Sequence, residues 1–234
     1  LRAADSKTLE GAIDWSWQLL EPASQAALTQ TSVFRGGFSL PAAESVLDLS
    51  PFPGSPEVID VLEALCDDHL LRRNKTAGNA RRYSLFESIR VFAGQKLGKA
   101  TGSIQLRHAT FYAQMGAKLY GDNFDTAGHP DYRKVPIEER DNFLGATDFA
   151  MDCGLQEVAA DCALGAQCIF ALTGPYEQAN DVLRAVLAMP GLEPIHRMNL
   201  EGSLGVLLRF GGQPKAAKIH LQNALGIACI IGDI

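Results

Sequence analysis

The stretch from Met198 to Ile231 constrains the fold of this chain more than any other. Its pattern predicts two short amphipathic helices joined by a tight turn, with Gly212 in the turn and Pro214 in the first turn of the second helix. Leucines form the apolar stripe, and small residues stand where the two helices would touch. Because such a hairpin cannot bury its own apolar face, it needs a similar hairpin on each side, which is the arrangement of a helical solenoid.

This hairpin resembles the tetratricopeptide repeat (TPR), a helical hairpin of about 34 residues. Six residues follow the order and spacing of that repeat: Gly205, Leu208, Gly212, Ala217, Leu221 and Ala224. Two positions depart from it, because Glu201 stands in place of the early aromatic residue and Cys229 in place of the closing proline. The resemblance implies a scaffold that binds a protein or peptide partner in the groove of its repeats, and not an enzyme.

Composition predicts a folded chain without a membrane span. The 234 residues are 47% hydrophobic and 21% charged, which supplies enough apolar material for one large core or two small ones. The net charge of −6 argues against a nucleic-acid surface over the whole chain, although it leaves room for a local basic patch. No apolar run reaches the roughly 18–20 residues that a bilayer requires.

The cysteines and histidines predict neither a disulfide framework nor a metal site. No CxxC pair occurs, and no histidine has metal-ligand spacing to a cysteine. We expect the five cysteines to be reduced thiols that serve as small core residues in a cytoplasmic protein. They are Cys66, Cys153, Cys162, Cys168 and Cys229.

The first hundred residues carry helical patterns that are interrupted once. Apolar periodicity predicts helices over residues 8–20, 22–31, 40–49, 57–69 and 87–99, with Ser39 as the N-cap of the third. Trp15 and Trp17 lie on the apolar stripes of the first helix, and we expect both to be buried. Two short runs flank Gly78-Asn79 and predict a β-hairpin. Helices followed by a hairpin are the order of a winged-helix domain.

Three segments resemble the region that follows the nucleotide-binding domain in bacterial signal-transduction ATPases of the STAND class, which are relatives of NB-ARC proteins. They are residues 9–47, beginning LEGAIDWSWQLL, residues 81–97, RRYSLFESIRVFAGQKL, and residues 104–120. The resemblance implies a winged-helix-like domain over 1–120, a linker over 121–136 and the first TPR-like hairpins over 137–234, with further repeats expected after Ile234. The expected fold class is therefore mostly α, a winged-helix-like domain with one β-hairpin followed by an α-α TPR-like superhelix.

No GxxxxGK[ST] motif occurs in the sequence, so nothing in it predicts a phosphate-binding loop. The resemblance places the ATPase module before Leu1, with ATP or ADP bound there and no cofactor bound by this chain. It also implies a mechanism in which the repeats bind a ligand or partner. The winged helix then relays that event to the nucleotide-binding domain by rigid-body rotation, and this rotation releases an inhibited state.

The start of the predicted helix at residue 87 is a candidate nucleotide sensor. In NB-ARC proteins this place carries a Met-His-Asp triplet whose histidine senses the bound nucleoside diphosphate, and by resemblance Phe86-Glu87-Ser88 occupies it here, followed by Arg90. Glu87, Ser88 and Arg90 are thus the candidate sensing residues. A carboxylate repels phosphate, however, and a glutamate also suits the start of any helix because it complements the helix dipole. Both interpretations stay open.

The predicted hairpin is basic, with no acidic residue between Leu71 and Leu85. Its cations are Arg72, Arg73, Lys75, Arg81 and Arg82. They suit the phosphates of DNA, a solvated edge that discourages strand pairing, or a contact with the ATPase module. The preceding helix carries five acidic residues between Glu57 and Asp68, which disfavours its insertion into a DNA groove. The alternatives to the ATPase interpretation are a DNA-binding winged-helix regulator with a TPR effector domain and a TPR adaptor that binds peptides.

Overall fold

The computed structural model describes residues 2–52, 54, 57–75, 81–98, 101–125 and 135–232. It is 76% helical and has one small three-stranded antiparallel sheet, which confirms the mostly helical fold class predicted from the sequence. The chain divides into two compact units, residues 1–108 and 109–234, which we name the first unit and the second unit.

Five helices and the start of a sixth belong to the first unit. They are α1 (Arg2–Leu19), α2 (Pro22–Thr31), α3 (Leu40–Val46), α4 (Val58–Asp67), α5 (Glu87–Leu97) and the N-terminal part of α6 (Thr101–Asp125). Pro22 opens α2 as expected for proline in a first helical turn. Ser39 caps α3 as predicted, because its hydroxyl accepts a hydrogen bond from the Ala42 amide at 3.4 Å.

The sheet contains one strand more than the predicted hairpin. Strands β2 (Arg72–Lys75) and β3 (Arg81–Ser84) pair antiparallel, and β1 (Phe38–Ser39) pairs with the other edge of β3, so that the order is β1-β3-β2. Gly37 precedes β1 with φ of +106°, and a Cβ there would lie 2.9 Å from the carbonyl oxygen of Tyr83. The close backbone approach therefore requires glycine. The predicted turn at Gly78-Asn79 lies outside the described residues.

An aromatic cluster forms the core beside this sheet. Phe34 stacks on Phe38 with ring centroids 4.4 Å apart, and Phe38 stacks on Tyr83 at 5.8 Å. His108 meets the Phe34 ring edge-to-face at 5.3 Å and is buried, so this histidine belongs to the core. The cluster joins β1 to the central strand β3.

The expectation that both tryptophans are buried is wrong for Trp15. Trp17 is half-buried and meets Phe92 edge-to-face at 6.0 Å, whereas Trp15 is 66% exposed. The reason is that α1 packs on α5 through one narrow stripe around Ile13 and Trp17, so the second stripe predicted from the sequence faces solvent.

The described residues of the second unit form helices and the turns between them. Residues 109–125 of α6 are followed by a 3-10 turn (Ile137–Glu139) and by α7 (Arg140–Asp152), α8 (Gln156–Thr173), α9 (Tyr176–Leu187), α10 (Pro194–Phe210) and α11 (Pro214–Ile231). Residues 121–125, which were predicted to belong to a linker, form the end of α6, and residues 126–134 lie outside the described part. The division between the units falls within α6 after His108, whereas the sequence placed the domain boundary at residue 120.

Helices α8 and α9 form a hairpin that α10 and α11 repeat in register. The first helix of each hairpin begins at Gln156 and at Pro194, and the second begins at Tyr176 and at Pro214, so both offsets are 38 positions. Helix α10 packs on both α8 and α9, and α11 packs on α10.

Two glycines allow helices α6 and α8 to cross in close contact. A Cβ on Gly165 would lie 2.5 Å from Cε1 of Phe143 and 2.8 Å from the Cα of Gly116. A Cβ on Gly116 would collide with the backbone carbonyl of Asp161. Since neither position has room for a methyl group, both are fixed as glycine by helix packing.

The cysteines fill the core only in part. All five are free thiols, but only Cys162 and Cys168 are fully buried, whereas Cys153 and Cys229 are exposed because each lies at the C-terminal end of a helix or just beyond it. In the described part of the chain, every helix is either too short or too polar to cross a bilayer.

Candidate interaction surfaces

Glu87, the first residue of α5, forms an ion pair with Arg90 of the same helix. The guanidinium of Arg90 donates through Nε to Glu87 Oε2 at 2.8 Å and through Nη2 to Oε1. This bidentate hydrogen bonding lowers the pKa of the Glu87 carboxyl, so the residue is ionised at neutral pH. Of the three candidate sensing residues, Glu87 and Arg90 are thus brought together and neutralise each other.

Glu87 and Ser88 also line a groove between α1 and α5. The groove has a volume of 300 Å³, and its apolar lining comes from both helices. Leu9, Ile13, Val91 and Phe92 provide this lining. Glu10 and Glu87 also line it, and since Arg90 neutralises Glu87, no cation of the lining is left for a phosphate, whereas the apolar surface favours a protein side chain.

Two arginines of the basic hairpin pair with the acidic helix that precedes it. Arg73 Nη1 lies 2.8 Å from Glu63 Oε2, and Arg81 Nη1 lies 3.6 Å from Glu63 Oε1. Arg73 also reaches Asp67 at 3.5 Å. Arg72 stacks its guanidinium 4.6 Å from the centroid of the Phe86 ring. The three ion pairs bring the strands and α4 together and reduce the positive charge that a polyanion would meet.

The remaining two cations of the hairpin are Arg82 and Lys75. Arg82 is half-buried in the central strand, opposite Asn74 and Ser39 in the two flanking strands. Lys75 pairs with Arg81 across the hairpin, and its side chain lies outside the described residues.

Glu63 is the residue that these pairs share, and sequence reasoning missed it. Besides both arginines it accepts a hydrogen bond from the hydroxyl of Tyr83 at 2.8 Å. Burial and the hydrogen bond to Glu63 raise the pKa of Tyr83 to about 12, so the hydroxyl stays protonated and remains a donor. The signal in the sequence was the spacing of Glu63 and Asp67, which places two acids on one helix face, followed closely by an arginine-rich strand.

Four of the six residues of the repeat signature, Gly205, Ala217, Leu221 and Ala224, lie at the contact between α10 and α11. A Cβ on Gly205 would lie 2.7 Å from Cγ of Leu221 and 3.2 Å from the carbonyl oxygen of Ala217, so the helices approach closely there. Leu208 is fully buried, and Gly212 adopts φ of +74° in the turn. Ala224 faces Gly202, where an added Cβ would lie 3.9 Å from the alanine methyl. The small residues therefore stand where the sequence predicted helix contact.

Glu201, which replaces an aromatic residue of the repeat pattern, makes a polar contact between the two helices. Its Oε2 lies 2.7 Å from Nδ1 of His220, and the amide nitrogen of Asn223 lies at 3.4 Å from the same oxygen. At this position the polar contact of Glu201 with His220 therefore joins α10 to α11.

A second histidine joins α10 to α8. Nε2 of His196 lies 3.4 Å from Oδ1 of Asp161, and the carboxylates of Glu157 and Glu193 add to the negative potential at the ring. The contact with Asp161 is the main cause that raises the pKa of His196 above its ordinary value, against an opposing effect of burial.

This ion pair predicts a small pH dependence of stability. The pKa of His196 is raised in the folded state. The ion pair therefore contributes fully to the free energy of unfolding below the unfolded pKa of about 6.5, and this contribution is lost as pH rises through the folded pKa. Asp161→Asn should therefore lower the free energy of unfolding by up to about 1 kcal/mol near pH 5.5 and by less near pH 8.5, since the ring is partly exposed. Urea titrations of Asp161→Asn, His196→Gln and the double variant test this prediction, and an equal loss at both pH values would contradict it.

Among the described residues, no group of three or more His, Cys, Asp or Glu side chains is placed to hold a metal ion. The candidate surfaces are therefore the α1/α5 groove, the paired hairpin and the helical hairpins of the second unit. Comparison with known protein families, with curated proteins and with solved structures finds no match to this chain.

Proposed function

We propose that this chain is the regulatory and protein-interaction part of a signal-transduction ATPase of the STAND class. In this proposal the second unit is an array of TPR-like repeats that receives a ligand or protein partner. The first unit is a winged-helix-like domain that relays the event to a nucleotide-binding domain elsewhere in the protein, where ATP or ADP is bound. The chain itself performs no catalysis.

The observation that supports this proposal most is the repetition of the helical hairpin. Both helices of the α10/α11 hairpin begin 38 positions after their counterparts in α8/α9, and Ala179 and Leu183 recur as Ala217 and Leu221. Arrays of this kind offer broad surfaces made of side chains from successive helices, which suits the binding of polypeptides better than the enclosure of a small substrate.

The α1/α5 groove supports a contact with another domain in preference to a contact with phosphate. Its apolar lining would be covered by a protein surface, and the Glu87–Arg90 pair leaves neither group unpaired for a nucleotide. In the proposal, Glu87, Ser88 and Arg90 therefore act at an interdomain contact.

Of the two alternatives, the pairing of the hairpin makes DNA binding the less favoured. Arg73 and Arg81 share Glu63, so their approach to DNA phosphates would place a carboxylate next to the polyanion. A peptide-binding adaptor requires only the helical hairpins of the second unit, and it is compatible with the ATPase proposal.

The groove provides the test. In the full-length protein, Val91→Asp should speed the release of a fluorescent ADP analogue by about tenfold, because a charge on the half-exposed groove wall weakens the contact that holds the inhibited state. Leu106→Asp is the matched control, since Leu106 is equally exposed in the first unit but lies outside the groove. A full-length protein that binds no nucleotide, or two variants with equal release rates, would overturn the proposal.

A further inference from the structure

Strand β2 lies at an open edge of the three-stranded sheet. The order β1-β3-β2 gives the central strand β3 a partner on each side and leaves β2 with one partner only. In an antiparallel pair, every second residue directs its N–H and C=O groups away from the partner strand. Among the described residues no further strand pairs with these outward groups of β2. The open edge therefore follows from the order of the strands within the first unit.

The two faces of the hairpin differ in their ion pairs. Directly opposite residues of an antiparallel pair share a face, so Arg73 and Tyr83 lie on the face where Glu63 contacts both. The residues on the other face are basic or uncharged, and they are Arg72, Asn74, Arg82 and Ser84. The carboxylates of α4 thus reduce the charge of one face of the hairpin and leave the second face basic.

Arg72 is placed at the open edge to receive a carboxylate. Its side chain is exposed, and no carboxylate of the described residues pairs with it. Stacking holds its guanidinium 4.6 Å from the centroid of the Phe86 ring, which is 48% exposed. Because stacking engages the flat face of the guanidinium, the N–H groups at its rim can donate to a carboxylate. Arg72 is thus oriented without being neutralised.

The charge of β2 determines what can add to its edge. Three of its four residues are cations, so pairing with β2 of a second copy would place like charges beside one another. The same cations discourage unspecific edge-to-edge aggregation. An acidic strand meets neither obstacle, because its carboxylates would lie beside arginine side chains.

We propose that β2 binds an extended acidic segment of another polypeptide, which adds to the sheet as a fourth strand. Main-chain hydrogen bonds to the open edge supply the affinity, and a carboxylate opposite Arg72 fixes the register. The proposal goes beyond the proposed function, because this surface lies on the first unit and requires neither a nucleotide nor the helical hairpins of the second unit.

Three synthetic peptides of about eight residues test this proposal on the chain itself. The first alternates glutamate with valine, the second alternates lysine with valine, and the third carries the charge of the first but has two adjacent prolines at its centre. The prolines prevent a continuous row of strand hydrogen bonds. Titrations of the isotope-labelled chain, followed by NMR, measure each affinity. We expect the glutamate peptide to bind about tenfold more tightly than either of the others and to protect amides of β2 from hydrogen exchange.

Two variants locate the binding on the structure. Arg72→Glu should reverse the preference between the glutamate and lysine peptides, because it places a carboxylate at the open edge. Arg209→Glu is the matched control, since Arg209 is exposed and stacks on Phe210, a ring that is 48% exposed, but belongs to a helix. It changes the net charge equally and should leave the preference unchanged. Far-UV circular dichroism checks that both variants fold.

Four results would overturn the proposal. They are equal affinity for the glutamate peptide and its proline control, no binding of the glutamate peptide at up to about 1 mM, a preference that Arg72→Glu leaves unchanged, and tighter binding of a DNA duplex than of the glutamate peptide at β2. None of these results depends on nucleotide, so failure here is distinct from failure of the ATPase proposal, which the ADP-release experiment tests separately.

Discussion

Gly116→Ala is expected to lower the free energy of unfolding of the second unit by about 3 kcal/mol, within the range for overpacking a tight core site. The added methyl group would collide with the carbonyl of Asp161, which is backbone within helix α8 and cannot rotate away. Gly165→Ala should act similarly from the other side, because its methyl group would press on the ring of Phe143 and on Gly116. Helices α6 and α8 would have to separate, with loss of packing along both.

Gly121→Ala is the matched control for this prediction. Gly121 lies in the same helix α6, adopts no positive φ, and has open space where its Cβ would be. Alanine there should raise the free energy of unfolding by about 0.5–1 kcal/mol, because it lowers the conformational entropy of the unfolded chain. Urea unfolding followed by far-UV circular dichroism distinguishes the two variants. If both shift the transition in the same direction, the close crossing of α6 and α8 is not a constraint on stability.

The sequence was most informative where a local pattern and a local signal coincide. Ser39 followed by Pro41 identified the start of α3, and the leucine stripe with Gly212 and Pro214 identified the α10/α11 hairpin. In both cases the structure is determined by residues within one or two helical turns, which form a cap, a turn or an amphipathic face. The helical fold class was predictable on the same basis.

What the sequence could not provide depends on contacts between distant segments. Strand β1 is two residues long and has no period to detect, and its place is set by Tyr83 far along the chain. A glycine inside a helix, such as Gly116, indicates that another element packs closely against it. That this element is the backbone at Asp161 is known only from the fold. Likewise, the hairpin arginines suggested a free basic surface, until the structure placed Glu63 between Arg73 and Arg81.

Phe38→Ala is expected to have the largest effect on the first unit, a loss of about 4 kcal/mol in the free energy of unfolding. The ring is fully buried and is stacked between Phe34 and Tyr83, so its removal leaves a cavity at the junction of β1 and β3. That loss is a large fraction of the roughly 5–15 kcal/mol that stabilises a typical domain. Because both tryptophans, Trp15 and Trp17, belong to the first unit, urea unfolding followed by tryptophan fluorescence reports on this unit directly.

Two further substitutions show whether the stacked ring is responsible. Phe38→Leu keeps most of the buried volume and should cost no more than about 1.5 kcal/mol, since the remaining cavity is small. Phe86→Ala removes an equally large ring that is half-exposed and lies outside the cluster, and it should cost less than about 1 kcal/mol. If Phe38→Ala proves no more costly than Phe86→Ala, the aromatic cluster does not hold β1 against β3, and the third strand contributes little to the stability of this unit.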